Sequence, residues 1–456
     1  MRSIKAAFVA FAEVNTPREF IDSRSAGAAK LLEEAGIDLL LAPIVTDDSE
    51  GSAAAKALEV LAGKDFDVLI LCIAGWIPSW AVLKVIEPFK HIPMVLWGLS
   101  GWREGKRFIT TADQAGTTAL RHPMREMGYT FKYIVTYREQ APRVEEILAY
   151  ATAARAVRLL KDAKLGMAGY RDMKLYGTMY DGAALKKTLG MEIEHFELLE
   201  LDRIMNTISP ADVEKTAGQA RSRWKFLKEP QPGTLEKSVK LYLALRKKIE
   251  DRGYQAISYS DVDGIKKLLG FAPAGAMTLL HENMDISSVP ENDALGMVTQ
   301  MIVRSLTGQA GAYLEFYEFM QDGALMGVPD YVPAEIVDGP ITVLPNAFGS
   351  FGEGLLNVSK LKTGMVTLAR LSDTGGRYVL HVATADAASP VSWEEAGWAP
   401  PAPQLPSLDM TFHCDAEDFI QNVMSQHYMI SYGDNVAYLR DFCDITGMTL
   451  RACATT

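Results

Sequence analysis

The chain contains little cysteine. Its 456 residues include four, Cys72, Cys414, Cys443 and Cys453, and no two of them form a Cys-x-x-Cys pair. Disulfide frameworks and structural zinc sites need cysteines at short, repeated spacings. The sequence therefore predicts neither of them, and we expect a protein of the reducing cytoplasm.

Long hydrophobic runs are missing as well. The N-terminal apolar run, Ala6 to Ala12, stops at Glu13 and lacks the cleavage site of a signal peptide, so it indicates a first strand. No stretch approaches the roughly 20 apolar residues that span a bilayer. We therefore expect no membrane partner.

Positive charge is not in excess, because 57 Asp and Glu outnumber 46 Lys and Arg and give a formal net charge of -11. A nucleic-acid backbone needs a basic field, so nucleic acid is not the expected partner. A phosphate loop is also excluded, because Ser100 and Arg107 replace its first glycine and its Ser/Thr around the run from Gly101 to Lys106. The Gly-x-Ser-x-Gly elbow of serine hydrolases does not occur.

The composition is that of a folded protein, with 48% hydrophobic and 23% charged residues. The length predicts two or three domains. Strands and helices alternate from the start, with a strand at Ile4–Phe11, a helix at Ala26–Ala35 and a strand at Val68–Ile73. A second alternating block begins at Lys164, and this rhythm predicts parallel sheets.

The pattern changes after Asp330. Short alternating runs such as Gly364–Leu371 and Tyr378–Thr384 predict antiparallel strands, and Pro390–Pro406 predicts a surface loop. The fold class is therefore predicted as α/β, with two Rossmann-like doubly wound domains followed by a C-terminal antiparallel β domain that is barrel-like. The predicted ranges are 1–162, 163–330 and 331–456.

Two glutamates frame the stretch from Val289 to Phe316. Glu291 follows Pro290 in what we predict to be the first turn of a helix, and Glu315 lies in a predicted strand, Ala312–Met320. A glycine-rich loop between helix and strand can bring both acids to one point, where they would bind a metal or move a proton. Alternatively, Glu291 only favours the helix N-terminus, and Glu315 points to solvent.

One histidine, His427, lies in a segment dense in aromatic residues and turn formers. An imidazole with two carboxylates is a suitable set for Mn²⁺ or a similar divalent ion. A single histidine is also commonly a packed or surface residue, so the segment leaves both interpretations open. The histidines at 281, 381 and 413 have no clear partners, and we interpret them as structural.

Three stretches together resemble the L-fucose and L-arabinose isomerase superfamily. The run Pro93–Ser100 resembles the strand and loop that end the family's first domain. The run Glu291-Asn-Asp-Ala-Leu-Gly-Met-Val-Thr resembles its Glu-x-Asp-x-x-Gly-x-x-Thr signature, with Glu315 at the second acidic position. The run from His427 to Asp434 resembles its His-x-x-x-x-x-Gly-Asp ending. The stretches occur in the family's order and cover nearly the whole chain.

The resemblance implies a metal-dependent aldose–ketose isomerase. It implies a divalent metal, commonly manganese, held by Glu291, Glu315 and His427, with the two glutamates as base and acid. The reaction moves a proton between C2 and C1 of a sugar through an ene-diolate, whose charge a metal can stabilise. The resemblance also implies a homo-oligomer, a trimer or a hexamer, with sites near subunit boundaries.

Two departures from the family concern the substrate. Relatives often carry Trp-His-Cys-Gly where this chain has Ala324-Leu-Met-Gly327, and a His-His doublet where it has Gln426-His427. Fucose and arabinose are therefore only default substrates, and a sulfonated sugar such as sulfoquinovose is an alternative that would need a cation. The candidate substrate-binding residues are Arg171, Trp97 and Gln426.

Other functions stay open at this point. Two Rossmann-like domains also build non-catalytic sugar-binding or regulatory proteins, and a fold does not fix a function. An aldolase or epimerase could use the same ene-diolate.

Overall fold

A computed structural model of the chain describes residues 3–328, 332–347, 351–390 and 406–453. The chain forms two compact units. The first consists of Met1–Arg158 with Arg440–Gly447, and the second of Leu159–Leu439 with Met448–Thr456. The three predicted domain ranges stay a prediction, and most of the predicted loop at Pro390–Pro406 lies outside the described residues.

The first unit is built on a parallel sheet. Its strands β1 to β7 are Ile4–Phe11, Ile37–Leu41, Val68–Ile73, Met94–Gly98, Trp102–Glu104, Arg107–Ile109 and Phe131–Val135. The accompanying helices α1 to α5 are Arg18–Glu34, Ser52–Leu61, Ser79–Ile86, Asp113–Glu126 and Val144–Leu160. Five strands pair in parallel in the order β2-β1-β3-β4-β7, and β5 and β6 form a separate hairpin.

Strand β3 shows why this sheet forms. All six of its residues are buried, as expected for a strand covered by helices on both faces. Helix α1 differs from its prediction, because it begins at Arg18 and not at Ala26. Pro17 precedes it with a φ of -53°, a value close to the helical range, and the polar first turns carry no apolar periodicity that would reveal the start.

The second unit begins with another parallel sheet. Strands β8 to β12 are Lys164–Ala168, Glu192–Phe196, Lys225–Phe226, Ala256–Tyr259 and Ser287–Ser288, and four of them pair in the order β12-β11-β8-β9. Helices α6 to α11 are Gly182–Leu189, Leu198–Met205, Pro210–Arg223, Thr234–Arg252, Ala274–Asn283 and Ala294–Thr307, with a π-helix at Asp261–Leu269. The parallel sheets agree with the prediction, whereas the Rossmann-like character of the domains stays a prediction.

The rest of the second unit is mainly antiparallel. Strands β13 to β21 are Ala312–Met320, Gly323–Gly327, Thr342–Asn346, Gly354–Asn357, Gly364–Asp373, Tyr378–Ala388, Ser407–Phe412, His427–Tyr432 and Thr449–Ala452. Helices α12 and α13 are Ala416–Gln421 and Val436–Thr446. No helix among the described residues is long and apolar enough to cross a bilayer.

Six of these strands close into an antiparallel barrel. They pair in the order β17-β20-β13-β14-β19-β18, and β18 pairs back with β17 to complete the ring. The predicted antiparallel C-terminal domain is therefore confirmed as a closed barrel. Strands β13 and β14 belong to it although they fall in the range predicted for the second domain, because β13 pairs with β20, more than a hundred residues later in the sequence.

Candidate functional site

Three predicted ligands meet at one place in the second unit. Glu315 on β13 and His427 on β20 are directly opposite each other in the antiparallel register. His427 Nε2 lies 3.4 Å from Glu315 Oε2, and His427 Nδ1 lies 3.9 Å from Glu291 Oε2. His427 and Glu291 are buried, whereas the Glu315 side chain keeps 24% of its surface exposed. Two barrel strands and the turn before α11 (Ala294–Thr307) therefore bring together two carboxylates and an imidazole from distant parts of the sequence.

The sequence predicts Glu291 in the first turn of a helix, and this prediction is wrong. Helix α11 begins at Ala294, because the Asp293 carboxylate takes the N-cap position and accepts a hydrogen bond from the Gly296 N–H at 2.9 Å. Glu291 and Asn292 precede the helix in a tight turn with positive φ angles of 65° and 49°. Asparagine tolerates this conformation, but glutamate adopts it rarely, and such backbone strain is concentrated at functional sites.

Asn292 ties this turn to the parallel sheet. Its side-chain N–H₂ donates to the carbonyls of Ala168, at 2.9 Å, and Tyr170, at 2.6 Å. Its backbone N–H donates to the Tyr259 carbonyl at 3.1 Å. Ala168 and Tyr259 are the last residues of β8 and β11. Glu291 is thus held outside the carboxyl ends of parallel strands, where ligands of open α/β sheets bind.

Asp293 joins the turn to the barrel. Both of its oxygens accept hydrogen bonds from the Arg370 guanidinium on β17, and Oδ2 also accepts one from the Tyr313 hydroxyl at 2.8 Å. Both members of the Asp293–Arg370 ion pair are 1% exposed. Burial alone would raise the pKa of Asp293, but the Arg370 charge and these hydrogen bonds hold that pKa below its usual value. The carboxylate is therefore ionised at neutral pH.

Tyr313 connects Asp293 to the imidazole of His427. Its ring stacks on that of His427, with centroids 4.2 Å apart and an angle of 19° between the planes. Burial, followed by the charges of Asp293 and Glu291, raises the pKa of Tyr313 well above its usual value. The hydroxyl therefore stays protonated and keeps donating to Asp293. The imidazole is fixed between this ring and two carboxylates.

The donor types suit a divalent ion, since carboxylates and imidazole are ligands of Mn²⁺ and related metals. The side chains are not yet arranged around one point, because Glu291 faces Nδ1 of His427 and Glu315 faces Nε2. Within the described ranges, no group of three or more His, Cys, Asp or Glu side chains forms a finished metal centre. One glutamate would have to rotate for all three groups to hold the same ion.

A cavity of about 160 Å³ lies beside the turn that carries Glu291. Asn292, the neighbour of Glu291, lines it together with Arg171, Tyr170, Tyr180 and His195. The Arg171 guanidinium lies 4.6 Å from the centre of the Tyr176 ring and donates to the Met179 sulfur at 3.3 Å. No described carboxylate forms an ion pair with it. The cavity is therefore lined by a cation that no carboxylate in the described part of the chain neutralises.

The hydrogen bonds of His195 fix its tautomer. Nδ1 lies 3.1 Å from the Gly169 carbonyl, which can only accept, so Nδ1 carries the proton. Nε2 then accepts from the Tyr180 hydroxyl at 3.2 Å. Burial raises the pKa of Tyr180 to about 12, so this hydroxyl keeps its proton. Arg171, Tyr180 and His195 form a polar wall suited to an oxygen-rich ligand.

The other two substrate candidates lie elsewhere. Trp97 is fully buried on β4 in the first unit, where its indole N–H donates to the Thr136 hydroxyl at 3.2 Å. Gln426 is exposed next to His427, and its backbone carbonyl accepts from the Phe316 N–H at 3.2 Å. Neither placement tests a substrate contact, so both remain predictions.

Sequence reasoning missed four residues that shape the site. Asp293 and Tyr313 stand two positions from the predicted glutamates, and alternation along β13 could have suggested that Tyr313 faces the same way as Glu315. Arg370 and His195 gave no signal, because an arginine or histidine in a strand becomes significant only when its partner is known.

Comparisons with known proteins give low identity over most of the chain. No protein-family model matches the chain. It is 20% identical over 393 residues to a sulfoquinovose isomerase of Priestia aryabhattai, an alignment that covers 84% of each protein. It is 22% identical over 402 residues to an L-arabinose isomerase of Herpetosiphon aurantiacus, which covers 82% of this chain and 76% of that protein.

Among solved structures, an ABC transporter solute-binding protein from Burkholderia multivorans covers 68% of this chain and 95% of its own. It is 10% identical, and its TM-score of 0.19 carries no argument. The two isomerases confirm the resemblance to the L-arabinose and L-fucose isomerase superfamily. They also confirm that the chain is an enzyme, an intramolecular oxidoreductase.

Proposed function

We propose that this chain, a relative of L-arabinose and sulfoquinovose isomerases, is a metal-dependent aldose–ketose isomerase. The convergence of Glu291, Glu315 and His427 is the observation that supports the proposal most. Moving a carbonyl between C1 and C2 requires one proton to leave C2 and one to reach C1. The two carboxylates, which face different nitrogens of His427 and one of which is partly exposed, would supply a base and an acid for these transfers.

The surrounding residues prepare the two glutamates for this work. Asn292 and Asp293 anchor the turn from both sides, so the backbone that carries Glu291 is held in place. Glu315 is held by the register of β13 with β20. We assign the roles of base and acid to the two carboxylates together, because the structure does not distinguish between them.

The proposed cofactor is a divalent ion, Mn²⁺ in the first instance. Glu291, Glu315 and His427 would hold it, and when bound it would act as a Lewis acid on the oxygens at C1 and C2. Tyr313 and the Asp293–Arg370 pair keep the imidazole and the turn in place whether or not an ion is bound.

The cavity beside Asn292 suggests the substrate. A sugar whose C1 and C2 lie near the glutamates would place its far end in the direction of Arg171, Tyr180 and His195. The unneutralised Arg171 favours an anionic group there, because a guanidinium binds sulfonate or phosphate oxygens by charge-assisted hydrogen bonds. We therefore propose a sulfonated aldohexose such as sulfoquinovose as the first substrate candidate. A neutral pentose or 6-deoxyhexose is the second.

The deciding experiment is an isomerisation screen. The enzyme is treated with a chelator, supplied with Mn²⁺ and given sulfoquinovose, L-arabinose or L-fucose in D₂O, with NMR as the readout. We expect metal-dependent ketose formation with deuterium at C1 or C2, fastest for the sulfonated sugar. Shorter products would instead indicate an aldolase, and an inverted sugar would indicate an epimerase.

A non-catalytic sugar-binding protein is the rival hypothesis. It predicts that the wild type binds sugars without turnover. It also predicts that Glu291→Gln binds them with the same affinity. Silence of the wild type across the screen, with metal and sugar both bound, would favour this rival over the isomerase.

A homo-oligomer, trimeric or hexameric, and a cytoplasmic location complete the proposal. The resemblance to the isomerase superfamily supports the first, and the few unpaired cysteines are consistent with the second. Sedimentation of the purified protein measures the oligomer directly, and a monomer at micromolar concentration would contradict it.

A further inference from the structure

The first unit contains a polar cavity of about 370 Å³ at the edge strand of its sheet. Two arginines of α4, Arg121 and Arg125, line it together with Tyr133 on β7, Tyr150 on α5 and Asp444 on α13. All of these residues belong to the first compact unit. Cavities of this size fall in the range, about 300–1,000 Å³, that holds small molecules.

The two arginines are placed to act together. They are four positions apart on one helix, so their side chains emerge on the same face, one turn apart. Both are exposed, and no ion pair or hydrogen bond of either guanidinium is found among the described residues. Repulsion between like charges at this spacing is unfavourable. Their position near the end of α4 offsets part of that cost through the helix dipole, so the arginines alone do not show a site.

Tyr150 provides the independent observation. The residue is 2% exposed, and its hydroxyl oxygen is buried with no hydrogen-bond partner in the described part of the protein. Burial, followed by the charges of Asp441 and Asp444, raises the pKa of Tyr150, so the hydroxyl is a donor at neutral pH. An unsatisfied buried donor is destabilising and calls for an acceptor such as a bound ligand.

The remaining polar groups leave the cavity with positive charge. The Tyr133 hydroxyl shares a hydrogen bond of 3.0 Å with Thr117. Asp441, three positions before Asp444 on α13, is neutralised by Lys132, whose Nζ lies 2.8 Å from Asp441 Oδ2. Asp444 is exposed and contributes one negative charge against the two arginines. The guanidinium groups of Arg121 and Arg125 and the Tyr150 hydroxyl are donors that match a tetrahedral oxyanion. The aromatic rings of Tyr129, Phe131 and Tyr133 can pack against the organic part of a ligand.

We propose that this cavity binds an organic phosphate or sulfonate of sugar size, with its oxyanion held by Arg121, Arg125 and the Tyr150 hydroxyl. This site lies in the first unit and is separate from the three convergent side chains of the second. The proposal does not depend on the isomerase activity.

Calorimetric titration of the full-length protein with glucose 6-phosphate, inorganic phosphate and glucose tests the site. The test variant is R121Q/R125Q. R203Q/K215Q is the matched control, because it removes two exposed positive charges from α7 and α8 of the other unit. We expect glucose 6-phosphate to bind the wild type and the control equally and to bind R121Q/R125Q at least about tenfold more weakly. Glucose should not bind at this site.

Tyr150→Phe provides a second arm that does not alter the charge. We expect it to weaken binding of glucose 6-phosphate several-fold while leaving the unliganded protein as stable as the wild type or more so. Equal affinities for inorganic phosphate and the ester would support the oxyanion site and remove the role of the organic body. Unchanged binding in R121Q/R125Q, or no binding to the wild type at millimolar ester, would overturn the proposal.

Discussion

At the scale of single residues, our proposal assigns the chemistry to the glutamate pair, Glu291 and Glu315. Glu291→Gln and Glu315→Gln keep the size of the side chains, but the amides carry no charge and cannot exchange a proton at neutral pH. We expect either change to lower kcat by about 10²–10⁴-fold, the usual contribution of a positioned acid or base. Steady-state kinetics on the substrate found in the screen measures the loss.

Glu318→Gln is the matched control for these variants. Glu318 lies on the same strand as Glu315 but is exposed, so its amide should leave kcat unchanged. Full activity in both Glu291→Gln and Glu315→Gln would remove proton transfer by the pair from the mechanism.

Arg171 determines selectivity rather than chemistry in our proposal. Replacing it with glutamine removes a charge-assisted contact that exists only for an anionic sugar. We expect KM for a sulfonated hexose to rise about ten- to a hundredfold, with little change for L-arabinose. Lys174→Gln, which removes an exposed charge from the same loop, should change neither value. Equal effects of Arg171→Gln on both sugars would contradict a role in recognising the anion.

At the scale of elements, one ion pair connects helix α11 to the barrel. Asp293 caps α11 and binds Arg370 of β17, and both side chains are removed from solvent. Breaking a buried pair leaves one charge without compensation and is destabilising by about 3–5 kcal/mol. We therefore expect Asp293→Asn and Arg370→Met each to lower the free energy of unfolding by that amount.

A double-mutant cycle with urea unfolding tests this link. Because the double variant leaves no lone charge, it should be destabilised by less than the sum of the single variants. The exposed pair Lys247–Asp251 offers a comparison, since Asp251→Asn should cost less than about 1 kcal/mol. Additive losses at Asp293 and Arg370 would show that the two side chains do not act as a pair.

At the scale of the whole molecule, metal binding should raise the free energy of unfolding. A ligand that binds only the folded state adds about 2.7 kcal/mol when present at a hundred times its Kd. We expect chelator-treated protein to unfold several degrees higher after Mn²⁺ is added, as measured by calorimetry. His427→Asn should lose this gain, whereas His413→Asn, a histidine paired with Asp386 at 3.0 Å, should retain it. The same rise in unfolding temperature in His427→Asn would show that the ion binds elsewhere.

Stability should also fall in mild acid, partly because of His381. This side chain is 1% exposed, and its Nδ1 accepts a hydrogen bond of 2.6 Å from the Tyr428 hydroxyl. Burial, and then the charge of Arg451, lowers the pKa of His381 to about 4 from 6.5. The unfolded chain therefore binds the proton first, and the stability that neutral His381 contributes is lost as pH falls from about 6.5 to 4.

The size of this loss is about 3 kcal/mol at pH 4, from about 1.4 kcal/mol per pKa unit. Urea unfolding at several pH values checks it. His381→Gln should be less stable at pH 7.5 and should show a shallower decline towards pH 4. Parallel pH profiles for the variant and the wild type would rule out titration of His381 as the cause.

The sequence by itself determined the local features of this protein. The continuous apolar run of β3 predicted a strand buried on both faces, and the bounds predicted for β1, β3 and β13 agree with the structure. The signature around Glu291, with Glu315 and His427, indicated the resemblance to the isomerase superfamily and the three side chains that meet. These features are encoded in residue types at short spacings, so they can be recognised without contacts.

Only the tertiary structure decided how those features combine. The closure of the barrel and the partners of Asp293 depend on residues such as Arg370 and His427, which are brought close by pairing between strands far apart in the chain. The left-handed turn at Glu291 was also unpredictable, because the cap at Asp293 and the anchors of Asn292 outweigh the local preference for a helix after Pro290. Contacts of this kind carry no periodic signal, since their free energy arises only when the whole unit folds.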